Sequence, residues 1–164
     1  MDKAIQGQFV KEPLDQVYRD TIGALGGLAG RALLVIREYA HLSAAGQATL
    51  DELRPWFVAS DFRGEWPGTR LLGSIAEVGE YMITRECVSI LASAVNGLYD
   101  WHAPFPEDLA LLRSDRSVLL YSIGHEKEGG VTLYPSERET LLVSCPEVAT
   151  CLVWHDPSAP AQRI

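Results

Sequence analysis

The chain has 164 residues, of which 47% are hydrophobic and 22% charged, as expected of a globular protein that buries one core without stabilising metals or disulfides. Its formal net charge of −8 is spread along the sequence, which disfavours binding to nucleic acid or to anionic lipid and favours a basic protein partner. The first residues lack the features of a signal peptide, and no apolar run is long enough to cross a membrane, so we predict a cytoplasmic location.

The N-terminal third predicts two helices separated by a strand. Apolar residues recur at three- and four-residue spacing over residues 14–29, which predicts an amphipathic helix entered through Pro13. This segment and the residue after it contain four glycines, Gly23, Gly26, Gly27 and Gly30. They leave two alternatives open, a closely packed helix or a helix broken by a glycine loop. The apolar run 32–36 predicts a central strand, and Ser43 is expected to cap a second helix whose apolar face extends to Phe57.

The middle of the chain predicts a loop, a strand and a helix in that order. Residues 61–73 have the glycine and proline content of a loop, with a turn at residues 66–69. The alternation over residues 75–83 predicts a strand. Thr84 is expected to cap a helix that ends at Gly97.

The C-terminal third predicts a meander of three short strands, at residues 109–113, 118–123 and 131–134. Ser136 and Glu139 have the spacing of a capping box for a last helix, and residues 151–154 are expected to add an edge strand. We therefore predict an α+β fold in which a mainly antiparallel sheet packs with helices. One domain would cover residues 1–154, and residues 155–164 would form a flexible tail.

The three cysteines, Cys87, Cys145 and Cys151, are odd in number, lack C-x-x-C spacing and lie in apolar surroundings. Buried free thiols are the better interpretation. No set of Cys, His or carboxylate residues has the spacing of a metal site, so we predict neither a metal nor another cofactor.

Histidines and carboxylates cluster in the C-terminal half at His102, Glu107, Asp108, His125 and Glu126. If the loop over residues 101–108 folds across the end of the second meander strand, these side chains converge, as a metal site or an acid–base pair requires. The sequence has no H-E-x-x-H or G-x-S-x-G motif, however, so we assign no catalytic residue. Capping and loop hydrogen bonds, in which carboxylates accept backbone N–H groups, are the simpler interpretation.

Trp66 and Trp101 lie in predicted loops beside proline and glycine. Each ring either docks onto the domain or stays exposed as an anchor for a partner. Docking is the expected case, because a large exposed ring favours association.

Four short segments together resemble a pattern found in small uncharacterised bacterial proteins: residues 66–69 (Trp-Pro-Gly-Thr), 98–101 (Leu-Tyr-Asp-Trp), 106–109 (Pro-Glu-Asp-Leu) and 122–126 (Ser-Ile-Gly-His-Glu). The resemblance covers residues 32–142. The succession of Pro-Glu-Asp-Leu, strand, turn, strand and His-Glu is similar in style to immunity proteins of bacterial toxin systems, which are often small, acidic and cytosolic. The resemblance implies a bacterial origin and is compatible with an immunity-type protein.

Two functional hypotheses follow from these observations. The first is a non-enzymatic protein-interaction module, of the immunity type, that neutralises a basic toxin through acidic loops with a tryptophan anchor. Its candidate binding residues are Trp66, Trp101, His102, Glu107, Asp108, His125 and Glu126. The alternative is an enzyme or small-ligand binder that uses the His102, His125 and Glu126 side chains.

Overall fold

The structure is a computed structural model that describes residues 2–37 and 41–155 of the chain. Its strands are β1 (Ile5–Phe9), β2 (Arg31–Ile36), β3 (Phe57–Arg63), β4 (Glu65–Trp66), β5 (Thr69–Arg70), β6 (Ala76–Met82), β7 (Glu107–Leu112), β8 (Val118–Ile123), β9 (Glu128–Leu133) and β10 (Leu152–His155). Its helices are α1 (Asp15–Gly26), α2 (Ala44–Leu53), α3 (Arg85–Ala94) and α4 (Pro135–Ser144). The predicted α+β class with a mainly antiparallel sheet is confirmed.

Eight strands form one antiparallel sheet in the order β10-β1-β9-β8-β7-β2-β6-β3, and β4 pairs with β5 in a separate hairpin. The larger hydrophobic cluster joins one face of the sheet to all four helices, through residues such as Ile22, Leu53, Leu91 and Leu141. The helices therefore form one layer against that face. Among the strands of the described residues, β10 and β3 lie at the two edges of the sheet.

The opposite face of the sheet carries a smaller cluster beneath the β4–β5 hairpin. Alternate residues of β2 divide between the two sides: Leu34 belongs to the helix side, whereas Leu33 and Val35 pack with Trp66 of the hairpin. Burial on both faces explains why β2 reads as a continuous apolar run. The predicted central strand is thus confirmed.

The glycines of α1 combine the two alternatives: α1 packs closely against α3 at Gly26, but it also ends at that residue, and Gly27 begins a turn instead of continuing the predicted helix to residue 29. A Cβ atom on Gly26 would lie 2.5 Å from a methyl group of Val88, which belongs to α3, whereas Gly23 faces open space. Both predicted caps are present: Ser43 Oγ accepts the Gly46 N–H at 3.0 Å, and Thr84 Oγ1 accepts the Cys87 N–H at 3.1 Å.

Several sequence predictions are wrong in detail. α2 ends at Leu53, and Phe57 opens a strand, β3, that extends into the segment predicted to be a loop. The predicted turn at residues 66–69 is confirmed as the tip of the β4–β5 hairpin. The last helix begins at Pro135, and the side chain that accepts the N-cap N–H is that of Glu137, so the predicted Ser136 and Glu139 box is wrong.

The C-terminal predictions agree better with the structure. The meander is confirmed as β7, β8 and β9, and the edge strand as β10. The predicted tail lies outside the described residues except for His155, which is the last residue of β10. All three cysteines are buried free thiols, as predicted, and burial raises the pKa of Cys87 to about 11. Within the described ranges, no helix is long and apolar enough to cross a membrane.

Candidate functional site

The two adjacent carboxylates, Glu107 and Asp108, lie at the start of β7 on the hairpin side of the sheet. The pairing of β2 with β7 shifts there: Leu33 lies opposite Ala110, but Val35 lies opposite Glu107. Asp108 has a φ of 55°, in the left-handed region, which aspartate adopts more readily than most residues. This bulge turns the side chains of both Glu107 and Asp108 toward the hairpin side of the sheet.

Asp108 is only 1% exposed, and both of its carboxylate oxygens accept hydrogen bonds from the fold itself. The Trp66 Nε1–H donates to Oδ2 at 2.9 Å, and the Gly124 N–H donates to Oδ1 at 3.0 Å. Burial raises the pKa of Asp108, because the charged form is poorly solvated, while these two donors act in the opposite direction. The carboxylate therefore joins the hairpin, β7 and the end of β8.

Glu107 is buried beside a cation. Its Oε2 lies 3.0 Å from Nε of Arg37, and its carboxylate also accepts the Ala103 N–H. Burial is the largest influence and raises the pKa of Glu107, and the neighbouring Asp108 raises it further, whereas Arg37 lowers it.

The Arg37 guanidinium also lies over the Trp66 ring, 5.3 Å from its centroid, as in a cation–π contact. We call Arg37, Trp66, Glu107 and Asp108 the clasp. It fixes the hairpin to the sheet at one end. At the hairpin tip, Gly68 has a φ of 85° and lies so close to Tyr121 that a Cβ would be 2.5 Å from the ring.

The convergence of the histidines with these carboxylates stays a prediction: His102 and His125 border the clasp, but the described hydrogen bonds and ion pairs join neither ring to Glu107 or Asp108. His125 is exposed in a short 3-10 helix after β8, yet it is close enough to lower the pKa of both Glu107 and Asp108. Its Nε2 lies 3.5 Å from Glu126 Oε1. His102 borders the same point, because a Cβ on Gly124 would lie 3.0 Å from the His102 Cβ. His102, His125 and Glu126 are all exposed.

Four of the residues proposed for an exposed binding surface are buried, so that part of the prediction is wrong. Trp66 and Trp101 are 4% and 0% exposed, and Trp101 donates its Nε1–H to Tyr18 Oη at 2.9 Å. Docking of both rings, the expected case, is confirmed. Glu107 and Asp108 are covered because the hairpin and Arg37 lie over them, a tertiary contact that the local sequence does not encode.

The chemistry available to this cluster is limited by its internal bonds. Both oxygens of Asp108 are already held, and Glu107 is ion-paired, so neither is presented as a ready general base. Among residues 2–37 and 41–155, no group of three or more His, Cys, Asp and Glu side chains is placed to hold a metal ion.

Comparison of the chain with protein families, curated proteins and solved structures finds no match. A groove of about 590 Å³ lies between α1 and α3 and is lined by residues such as Gly23, Gly26, Arg85 and Ser89. The described lining includes no histidine or carboxylate, so this groove is separate from the clasp.

An exposed apolar edge is the candidate feature that the sequence interpretation missed. In β3, residues 57–62 are all exposed, including Phe57, Val58 and Phe62, the last of which is 55% exposed. Leu72 is 95% exposed and Ile75 is 60% exposed, and both lie near the C-terminal end of β3. The N–H of Leu71, which precedes Leu72, donates to the Gly64 carbonyl at 2.7 Å, and Ile75 directly precedes the pairing of Ala76 with Arg63. We call Phe57, Val58, Phe62, Leu72 and Ile75 the β3 edge surface. The sequence pattern that would predict β3 is weak, because Asp61 and Arg63 interrupt it.

Proposed function

We propose that this protein is a non-enzymatic protein-interaction module that binds its partner along the β3 edge surface. The observation that supports it is a seven-residue edge strand whose large apolar side chains face solvent. Exposed edges of this kind offer unpaired backbone groups as well as apolar area, and clustered apolar surface typically marks an interaction site.

The interaction hypothesis is therefore retained, but its binding surface is moved. The buried clasp residues belong to the framework of the fold, and His102, His125 and Glu126 lie near the clasp rather than on the β3 edge surface. The enzymatic alternative, which uses His102, His125 and Glu126, has less support, since these side chains are exposed and the neighbouring carboxylates of Glu107 and Asp108 are engaged within the clasp.

A basic partner suits the net charge of −8, which attracts a cationic surface over long range. A basic toxin, as the resemblance to immunity proteins implies, would be one such partner.

The test is recovery of a partner from cytosol of the source cell by cross-linking and affinity purification. Phe62→Lys places a charge in the β3 edge surface and opposes a basic partner. Val143→Lys is the matched control, because Val143 is 75% exposed on α4, away from β3. We expect a specific protein with the unaltered chain and with Val143→Lys, and its loss with Phe62→Lys. Equal recovery by both variants, or no specific recovery by the unaltered chain, contradicts the proposal.

A further inference from the structure

We infer that the partner binds by strand addition: an extended, basic segment of another protein pairs with β3 and lengthens the sheet. This inference rests on the proposed function and specifies its mode. Three features of the edge support it: the backbone of β3, a groove beside it and an excess of carboxylates.

The backbone of β3 offers a regular template over its second half. Ser60, Asp61, Phe62 and Arg63 pair in sequence with β6. The other side of β3 has no strand partner among the described residues. The shift in register falls between Phe57 and Ala59, so only the N-terminal end is irregular. An added strand would lie about 4.8 Å away and take up the outward N–H and C=O groups.

A groove on the helix side of this edge accommodates a side chain of the added strand. It has a volume of about 220 Å³ and lies where α2 overhangs the edge, with Leu50, Phe57 and Tyr81 in its lining and Asp51 and Arg54 also beside it. The rings of Phe57 and Tyr81 meet edge to face, with their centroids 5.7 Å apart. Since alternate side chains of a strand point to one face, an apolar residue of the added strand would enter this groove.

The charges around the edge favour a basic segment. Asp51, Asp61 and Glu65 are each matched by a neighbouring arginine, and Glu80, opposite Ala59, is shared by two, Arg31 and Arg116. The described ion pairs include none for Glu52 or Glu77.

Of these two carboxylates, Glu77 is the better placed to contact a basic residue of the added strand. It lies opposite Phe62 in the ladder, accepts a hydrogen bond from Ser60 Oγ at 2.9 Å, and is close enough to Tyr81 to raise the pKa of its hydroxyl. A lysine or arginine beside Phe62 would meet this carboxylate.

The same charges disfavour a second copy of this chain as the occupant. Two copies would each bring a net charge of −8 and the same unmatched carboxylates to the contact. Like charges across an interface oppose association, whereas a basic segment relieves the excess.

The probes are fluorescently labelled seven-residue peptides in which lysine alternates with valine, leucine, isoleucine or phenylalanine, and their binding is measured by fluorescence anisotropy. Each peptide is also made with N-methyl groups on alternate residues, in both phases. Because only one edge of an added strand pairs with β3, one phase removes hydrogen bonds to β3 and the other leaves them intact. We expect the blocking phase alone to weaken binding by about tenfold or more.

The protein variants give the second arm of the experiment. Phe62→Lys is expected to abolish peptide binding, Val143→Lys to leave it unchanged, and peptides with glutamate in place of lysine to bind at least about tenfold more weakly. Thermal melts establish that both variants are folded.

The outcomes separate the mode of binding from the proposed function. Equal binding of both N-methylated phases, or no binding by any lysine peptide, overturns strand addition, even if Phe62→Lys abolishes recovery of the cellular partner. A dimer of the unaltered chain in sedimentation equilibrium that Phe62→Lys dissociates assigns the edge to a second copy and overturns the basic segment. Retained recovery of a partner by Phe62→Lys refutes the proposed function as well.

Discussion

Replacing Trp66 by phenylalanine tests whether the clasp holds the hairpin to the sheet. Phenylalanine keeps an aromatic ring over the apolar face but removes the N–H that donates to Asp108 at 2.9 Å. A hydrogen bond to a buried charged group contributes about 1.5–3 kcal/mol, so we expect Trp66→Phe to lower the free energy of unfolding by about that amount. With a urea dependence of about 2 kcal/mol per molar, the midpoint should fall by about 1 M.

Trp56→Phe is the control for the loss of indole volume. Trp56 is partly buried against the larger cluster, and the described hydrogen bonds include none from its ring. The difference between the two variants in urea unfolding isolates the bond to Asp108. Equal losses of stability would refute the reasoning.

The raised pKa of Asp108 also predicts how the stability lost in Trp66→Phe changes with pH. Burial raises the pKa of Asp108 in the folded protein, so its carboxyl group binds a proton more readily than in the unfolded chain, and its ionisation destabilises the fold as pH rises through that pKa. The hydrogen bond from Trp66 is charge-assisted only when the Asp108 carboxyl group is ionised. The stability lost in Trp66→Phe should therefore shrink as the pH falls below the raised pKa, and a constant or growing loss would contradict this account.

Three further predictions concern stability and composition. Gly26→Ala should lower the free energy of unfolding by about 1–3 kcal/mol, because its Cβ would meet Val88 at 2.5 Å. Gly23→Ala, whose Cβ would lie in open space, should raise the free energy of unfolding by up to about 1 kcal/mol. Urea unfolding compares the two variants, and equal effects would contradict close packing at Gly26. Two hydrogen bonds from Arg113 hold the pKa of Glu137 below its usual range, so the stability from this pair should be lost as pH falls through that lowered pKa, and Glu137→Gln should flatten the acid limb of stability against pH. Elemental analysis of protein purified without chelators should find no stoichiometric metal. A result of about one ion per chain would contradict this prediction and show that the histidines and carboxylates bind a metal.

Elements with strong local signals could be predicted from the sequence. Ser43 and Thr84 mark the starts of α2 and α3 by side-chain caps, and the turn at residues 66–69 combines proline with glycine. β1 went unpredicted because only Ile5, Gly7 and Phe9 face the helices, and the glycine interrupts that apolar pattern. Its strand character comes from pairing with β9 and β10, which a local pattern does not encode.

The candidate site was predicted in composition but not in environment. His102 and His125 border the clasp, but the described hydrogen bonds and ion pairs join neither imidazole to Glu107 or Asp108. The burial of these two carboxylates depends on Trp66, which is 42 positions from Asp108 in the chain, so no local signal reports it. The β3 edge surface could not be predicted because β3 has no buried face. A strand that is exposed along its length lacks the alternation of apolar and polar residues that burial of one face imposes.

The position of β1 between β9 and β10 constrains the order of events when the chain is made. Gln6 pairs with Thr132 on one side and with His155 on the other, so β1 has no complete place in the sheet until both β9 and β10 have been made. Pairings this distant in sequence form late and slowly. This side of the sheet closes only after β10 has been made, and until then β9 presents a second open edge to other nascent chains.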